Sequence, residues 1–274
     1  PPDPDEFQAA AQNLIGSVEE ELGWMYEAVD PHGEPGRVRH IIWSDLLVCP
    51  NCSTETTFWD ACVRLDPARI NGSFVCGGCR KTVAHEDCEH ATEDVEDPLL
   101  SNERRQIRVR VPVRVHGISG RTKWQRLAEP SDHEVIAKSL AYQLDDWVPT
   151  SEVFWGDLHR KGYHKGIDRY HHFYTHRNLA VISRLWHKIP DYPEHIRDAL
   201  RLLVLSFNAS HATLMTRVVA KKGQKDLVLT GAQSGVLYVS SLPVEKNIFE
   251  GVRRKVRTFV DAFRLTHDLP GKTS

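Results

Sequence analysis

Cys49-Pro50-Asn51-Cys52 and Cys76-Gly77-Gly78-Cys79 decide how the front of the chain folds. In each Cys-x-x-Cys pair the backbone can turn so that both sulfurs face one point, and Pro50, Gly77 and Gly78 suit tight turns. Two such knuckles build a four-thiolate tetrahedron, the usual structural zinc site, which leaves no open position for catalysis. The 23 residues between them, Ser53 to Val75, slightly exceed the common spacing. They have room for a hairpin through Thr57-Phe58-Trp59 and Val63-Arg64-Leu65. The competing reading is two unrelated redox or buried cysteine pairs. Cys62 and Cys88 read as small buried hydrophobes, and reduced thiols point to the cytoplasm.

Outside the knuckles, Phe7, Ala11, Leu14, Ile15, Val18, Leu22 and Met25 recur at helical spacing, so Asp3 to Val29 reads as an acidic amphipathic helix. A turn follows over Pro31–Gly36, and Val38 to Val48 reads as a strand leading into the first knuckle. The fold class expected is α+β: an N-terminal helix and four-cysteine zinc ribbon, followed by a mixed helical and β-hairpin region. The 274 residues suit two domains, and 41% apolar with 26% charged residues is ordinary for a soluble protein. The longest apolar runs fall far short of the roughly 18 to 20 residues of a membrane span, and no signal segment opens the chain. A start at Pro1 reads as processing or excision from something larger.

The net charge of −2 hides an asymmetry. Residues 1–100 carry 6 Lys+Arg against 20 Asp+Glu, or −14, while residues 101–274 carry 29 against 17, or +12. The domains expected are therefore an acidic 1–100 and a basic 101–274 that meets an anionic partner. Glu86 to Pro98 reads as a solvated helix face or linker. In Arg104 to Val115 the period is two: Ile107, Val109, Val111, Val113 and Val115 share one face, and Arg108, Arg110 and Arg114 the other. That second face either is solvated or tracks phosphates. Arg121 to Leu127 returns as its partner strand, and Ser131-Asp132-His133-Glu134 opens a helix to about Leu144. An aromatic, Gly-rich loop covers Trp147 to Tyr170. Thr175 and Pro193 start two more helices. Asp226 to Ser241 reads as a hairpin around Gly231 to Gly235, and a last helix runs from about Val244 to Phe263.

The run from Tyr170 to Asn178 is the densest cluster of polar and aromatic groups. Arg177 and Asn178, with His171, His172, Tyr174 and His176 beside them, suit base-edge or phosphate contacts near a helix N-terminus. The competing readings are a buried histidine cluster and a metal centre on His171, His172 and His176 serving a nuclease. Lys246, Asn247, Arg253 and Arg254 read as phosphate contacts near another helix N-terminus. No phosphate-cradling Gly-rich loop and no Gly-x-Ser-x-Gly elbow occurs. From the residues alone, the chain is a zinc-stapled protein whose basic part binds nucleic acid.

Phe58-Trp59-Asp60, Trp147-Val148-Pro149-Thr150, His171 to Leu179, Ser234 to Ser241 and Glu245-Lys246-Asn247-Ile248-Phe249-Glu250 follow in this order with the cysteine pairs. Together they resemble the zinc-ribbon-containing bacterial DNA methyltransferases of the amino-group type, which mostly modify adenine. The resemblance spans Phe7 to about Phe263. An Asp-Pro-Phe-x-Gly-x-Gly cofactor loop and an Asp-Pro-Pro-aromatic catalytic motif belong to that family and are absent here. The resemblance therefore implies the target-recognition region between those motifs, which binds double-stranded DNA and docks on a catalytic domain. S-adenosylmethionine would belong to the complete enzyme, and this stretch would not be catalytic alone. The alternative is a DNA-reading module, sensitive to modification, of a restriction or phage-defence protein.

Overall fold

A computed structural model of the chain describes residues 2–154, 156, 165–233 and 235–267. Part of the expected aromatic loop, and Ser234 of the resemblance, lie outside the described residues. One strand organises the rest. β2 (Pro35–Val48) is rich in β-branched and aromatic residues and pairs antiparallel with five others. β1 (Glu27–Val29) returns along its start, and β3 (Glu55–Thr57) and β8 (Glu89–His90) flank its end. At its middle, β11 (Arg110–Ser119) runs along one edge and β15 (Val244–Lys246) along the other. β12 (Thr122–Leu127) extends the sheet beyond β11.

The two faces of β2 serve different cores. Val38 and Ile41 join Val115 in a helical core, whereas Ile42 and Leu47 join Val244 in a core shared with the cysteine-bearing segment. Residues three apart point to opposite faces of a regular strand. Here the register steps from His40↔His116 to Val38↔Gly117, so Arg39 is the extra residue of a bulge and Val38 regains the helical side.

The helical layer contains α1 (Pro4–Leu22), α4 (His176–Lys188), α5 (Glu194–Phe207) and α6 (Ile248–His267), with α3 (Pro130–Leu140) beside α4. The apolar stripe of α1 is buried as its spacing predicts, and Phe7 meets Phe259 and Phe263 of α6 at ring separations of 6.0 and 5.0 Å. A Cβ on Gly251 would fall 1.9 Å from the Phe207 ring, so glycine is what lets α5 and α6 approach there. No helix among the described residues is long and apolar enough to cross a membrane.

Several elements differ from expectation. The first helix stops at Leu22, and its continuation becomes a 3-10 turn and β1. Phe58-Trp59 opens a short helix, α2 (Phe58–Cys62), instead of a hairpin strand, because Thr57 Oγ1 accepts the Asp60 N–H and Ser44 Oγ accepts that of Trp59. The small hairpin that does form pairs β4 (Val63–Arg64) with β5 (Arg69–Ile70). The hairpin expected over 226–241 is replaced by one further upstream: β13 (Arg217–Val219) pairs β14 (Val228–Thr230) around a lysine-rich turn in which Gly223 takes a φ of 81°. The α3 cap is also shifted, with Asp132 Oδ2 accepting the Glu129 N–H at 2.8 Å.

The acidic stretch 86–98 is largely sheet. β9 (Thr92–Asp97) pairs β10 (Glu103–Arg108), setting Glu96 opposite Arg104 and Val95 opposite Arg105. This is part of a wider pattern. Glu19 of α1 engages Arg37 and Arg253, Glu21 engages Arg184 and Lys188, and Asp5 engages Arg264. Part of the acidic front is therefore paired with the basic back within one molecule. The boundary near residue 100 is one of composition, since one core contains both Phe7 and Phe249.

Burial also silences histidines. His40 and His116 stack at 4.2 Å, and desolvation is the leading cause that pushes them down to about 3 and about 4. Their folded values lie below the unfolded value of about 6.5, so the stability they contribute is present above pH 6.5 and is lost as pH falls toward 4. Unfolding free energy should drop on the order of 1 kcal/mol per histidine between pH 7 and 5. A His40→Gln, His116→Gln variant should show a shallower profile. Equal pH dependence of variant and parent would contradict this origin.

Candidate functional site

The cysteine knuckles are geometrically equivalent. Cys49 N–H donates to Thr54 O and Ser53 N–H to Cys49 O; likewise Cys76 N–H donates to Lys81 O and Arg80 N–H to Cys76 O. The left-handed residues are Ser53 and Arg80, with φ of 58° and 62°, and not the glycines that suggested the turn. Gly78 matters for space instead, because a Cβ there would lie 2.1 Å from Thr54 Oγ1. The hairpin of β6 (Ser73–Val75) and β7 (Thr82–Ala84) carries the second knuckle.

All four sulfurs lie within 4.8 Å of one another, with Cys52–Cys76 at 3.6 Å and Cys49–Cys79 at 3.9 Å. A tetrahedron of Zn–S bonds of about 2.3 Å has edges of about 3.8 Å. Contact with the Thr54 hydroxyl brings the Cys52 thiol down to about 6. The Lys81 N–H pulls Cys79 down too, but burial and the neighbouring sulfurs outweigh it and push it up to about 11. Four thiols this close cannot all ionise without a cation among them. Cys49, Cys52, Cys76 and Cys79 thus form a set positioned to hold a metal ion, and their softness suits zinc.

The residues expected to touch DNA are placed less openly. Arg177 and Asn178 are 2% and 1% exposed. Arg177 Nε and Nη2 donate to the two carboxylate oxygens of Glu245 at 2.6 and 2.7 Å, and Nη1 donates to Met25 O at 2.8 Å. The guanidinium also lies over the Tyr26 ring at 5.1 Å. Glu245 further accepts from Trp43 Nε1 and Thr175 Oγ1. Asn178 accepts from the Tyr26 hydroxyl and donates to Ala212 O. In this arrangement both side chains brace the core and present no face to a duplex.

His171 and His172 are likewise buried. Each ring Nε2 lies against Asp97 Oδ2, at 2.9 and 2.8 Å. Asp97, from the stretch expected to be a linker, is the acidic residue missing from the histidine run. The three are spaced like a metal triad, but the hydrogen bonding favours a brace. His172 Nδ1 accepts from the Asp168 and Arg169 N–H groups at 3.1 and 3.3 Å, so the ring proton sits on Nε2 and is donated to Asp97. A metal would need the Nε2 lone pair. Arg105 Nε adds a cation 3.4 Å from the same oxygen. Desolvation first, then Arg105, keeps His172 neutral by pushing it down to about 4. His176 is not in this group and turns to Tyr142 O at 2.7 Å. The Tyr174 hydroxyl is bound by Asn208.

The strand arginines also face internal acceptors. Arg108 and Arg110 reach the buried Asp45 at 3.3 and 2.8 Å, and Arg114 reaches Asp226 at 2.8 Å. Burial raises Asp45, but Arg110, His90 and Arg108 outweigh that and hold it near about 2. The alternation does not keep two faces along the whole stretch. The pairing with β2 skips Val113, so Val113 packs on the core of the cysteine-bearing segment, Val115 on the helical core, and Arg114 lies on the other side of the sheet from Arg110. Nor does the pattern carry any sign of the carboxylates that meet the arginines. Asn247 caps α6, its Oδ1 accepting the Phe249 N–H at 2.9 Å and its Nδ2 donating to Val38 O at 2.8 Å. Arg253 pairs with Glu19.

Lys246 and Arg254 remain, and they meet at an open cleft of about 390 Å³ between α6 and the β13–β14 hairpin. Arg39, His211 and Lys255 line it with them, and Leu229 of β14 forms part of its wall. The turn of that hairpin exposes Lys221, Lys222 and Lys225, none with a carboxylate partner among the described residues. The turn rests on the cysteine-bearing segment: Asp66 N–H donates to Lys225 O and Ala68 N–H to Gln224 O, both at 2.8 Å.

No known protein family, curated protein or solved structure matches this chain.

Two outcomes follow from this geometry. Removing one partner of the Arg177–Glu245 pair leaves an uncompensated buried charge, so Glu245→Gln or Arg177→Met should lower unfolding free energy by about 3 kcal/mol or more in denaturant titrations. A loss under 1 kcal/mol would show that the pair does not brace the core. Purified protein should carry one zinc per chain, and chelation should expose Phe58 and Trp59 to solvent, seen as a red shift in tryptophan emission.

Proposed function

We propose that the chain is a zinc-stapled DNA-binding module, the target-recognition part of an S-adenosylmethionine-dependent DNA methyltransferase, with no catalytic activity of its own. The observation that carries the DNA-binding part is the lysine-tipped β13–β14 hairpin set beside Arg254 and Lys255 of α6. Most other arginines of the basic section are matched by carboxylates inside the molecule, whereas Lys221, Lys222, Lys225, Arg254 and Lys255 have no carboxylate partner among the described residues. Cations grouped on one face neutralise phosphates and release counterions, which gives affinity without reading sequence. A two-stranded ribbon is also an element that a DNA groove admits. The methyltransferase assignment rests on the ordered motifs of the sequence, and the absence of a cofactor loop and catalytic motif assigns chemistry to another part of such an enzyme.

On this reading the ribbon holds the hairpin turn in place through Asp66 and Ala68. Duplex affinity should fall steeply with salt. Lys221→Ala, Lys222→Ala and Lys225→Ala should each weaken binding to all sequences alike and reduce the salt slope by about one for every phosphate left without its lysine. Zinc removal should weaken binding in the same way. An affinity independent of salt, or unchanged in the triple lysine variant, would overturn the proposal.

A further inference from the structure

Lys246 is 7% exposed, and no carboxylate or other acceptor holds its ammonium among the described residues. A buried charge is costly unless paired, and a lysine on a strand edge has the length to reach solvent instead. Here it lines a cleft to which Arg39, Arg254 and Lys255 bring further cations, beside the neutral imidazoles of His40 and His211 and the apolar Phe207 and Leu229. Among the described residues, Arg254 donates to one backbone carbonyl, Glu250 O, at 3.3 Å. Lys255 and His211 lie on the same cleft, and Arg39 is turned toward it by the β2 bulge. The single carboxylate there, Glu250, is 3.6 Å from Arg39 and so is already engaged. Desolvation, with repulsion from Arg254 added to it, brings Lys246 down to about 8.

We propose that this cleft is a seat for one phosphate group, with Lys246 at its floor and Arg254 and Lys255 at its rim. The proposal rests on the nucleic-acid reading in naming the source, a phosphodiester of a bound strand, but the cleft itself requires only a tetrahedral oxyanion. A volume of about 390 Å³ is room enough for a phosphate with its attached sugar. The site would therefore anchor a strand at one point, while the exposed lysines of the hairpin follow its backbone. A lysine on a rigid strand beside a capped helix start is held in place before the ligand arrives, so little ordering is needed on binding.

The test uses the full zinc-loaded chain. Inorganic phosphate, titrated at constant ionic strength against chloride, should raise the melting temperature saturably. Lys246→Met keeps the length and removes the buried charge; it should abolish that response and lower duplex affinity about tenfold. Arg254→Gln, at an exposed position, should weaken both responses and guards against a folding defect in the first variant. No excess effect of phosphate over chloride on the parent, or an equal effect on parent and both variants, overturns the proposal. Duplex binding that survives unchanged in both variants removes the cleft and leaves the DNA reading standing. A phosphate response that disappears in Lys246→Met, with no duplex binding by the parent, keeps the cleft as a phosphomonoester site and removes the DNA reading.

Discussion

The bidentate pair between Arg177 and Glu245 ties together parts of the chain that are far apart in sequence. Arg177 is on the first turn of α4 and Glu245 on β15, and the same two side chains reach Met25 after α1 and Trp43 on β2. Buried ion pairs are poor evidence of net stability, because desolvation offsets most of their attraction. Their consequence is positional. A guanidinium fork and a carboxylate satisfy each other in few geometries, so β15 can dock on β2 in one register and α4 can enter at one angle. Tyr26 and Asn178 repeat the same connection one residue away.

That constraint decides which charges remain for a partner. Side chains that look like contacts in sequence, namely Arg177, Asn178, His171 and His172, are the ones the core requires. The +12 of the back section is likewise consumed in part by the acidic front, through β9–β10, through Asp45 and through α1. Among the described residues, the cations left without a carboxylate include the hairpin turn, one edge of α6 and the buried Lys246, besides scattered ones such as Arg121 and Lys123.

Much of the frame is legible from periodicity. The α1 stripe, the β2 run and the Thr175 cap on α4 follow from residue spacing and local hydrogen bonding. The cysteine pairs specify their cluster because two short turns leave the sulfurs little choice. The remainder depends on long-range partners that no local pattern encodes. Gly231 to Gly235 is as good a turn signal as Lys221 to Lys225, and only the docking of Lys225 O on Asp66 N–H favours the second. The alternating arginines show neither Asp45, which takes Arg108 and Arg110, nor the bulge at Val113 that turns Arg114 to the other side. Asp97 sits amid acidic residues that resemble a solvated run, and only its burial against two imidazoles distinguishes it.

The ribbon gains a reason from this arrangement. A two-stranded hairpin carrying three like charges at its tip is unstable alone, since the lysines repel and two strands bury little. The backbone bonds from Asp66 and Ala68 give that tip a support, and Val218 of β13 enters the same core as Phe58, Phe74 and Val83. That core is small and lies next to the four sulfurs. Metal binding supplies folding energy where apolar area is short. A metal ion held by Cys49, Cys52, Cys76 and Cys79 would therefore stabilise the residues that hold the basic hairpin out.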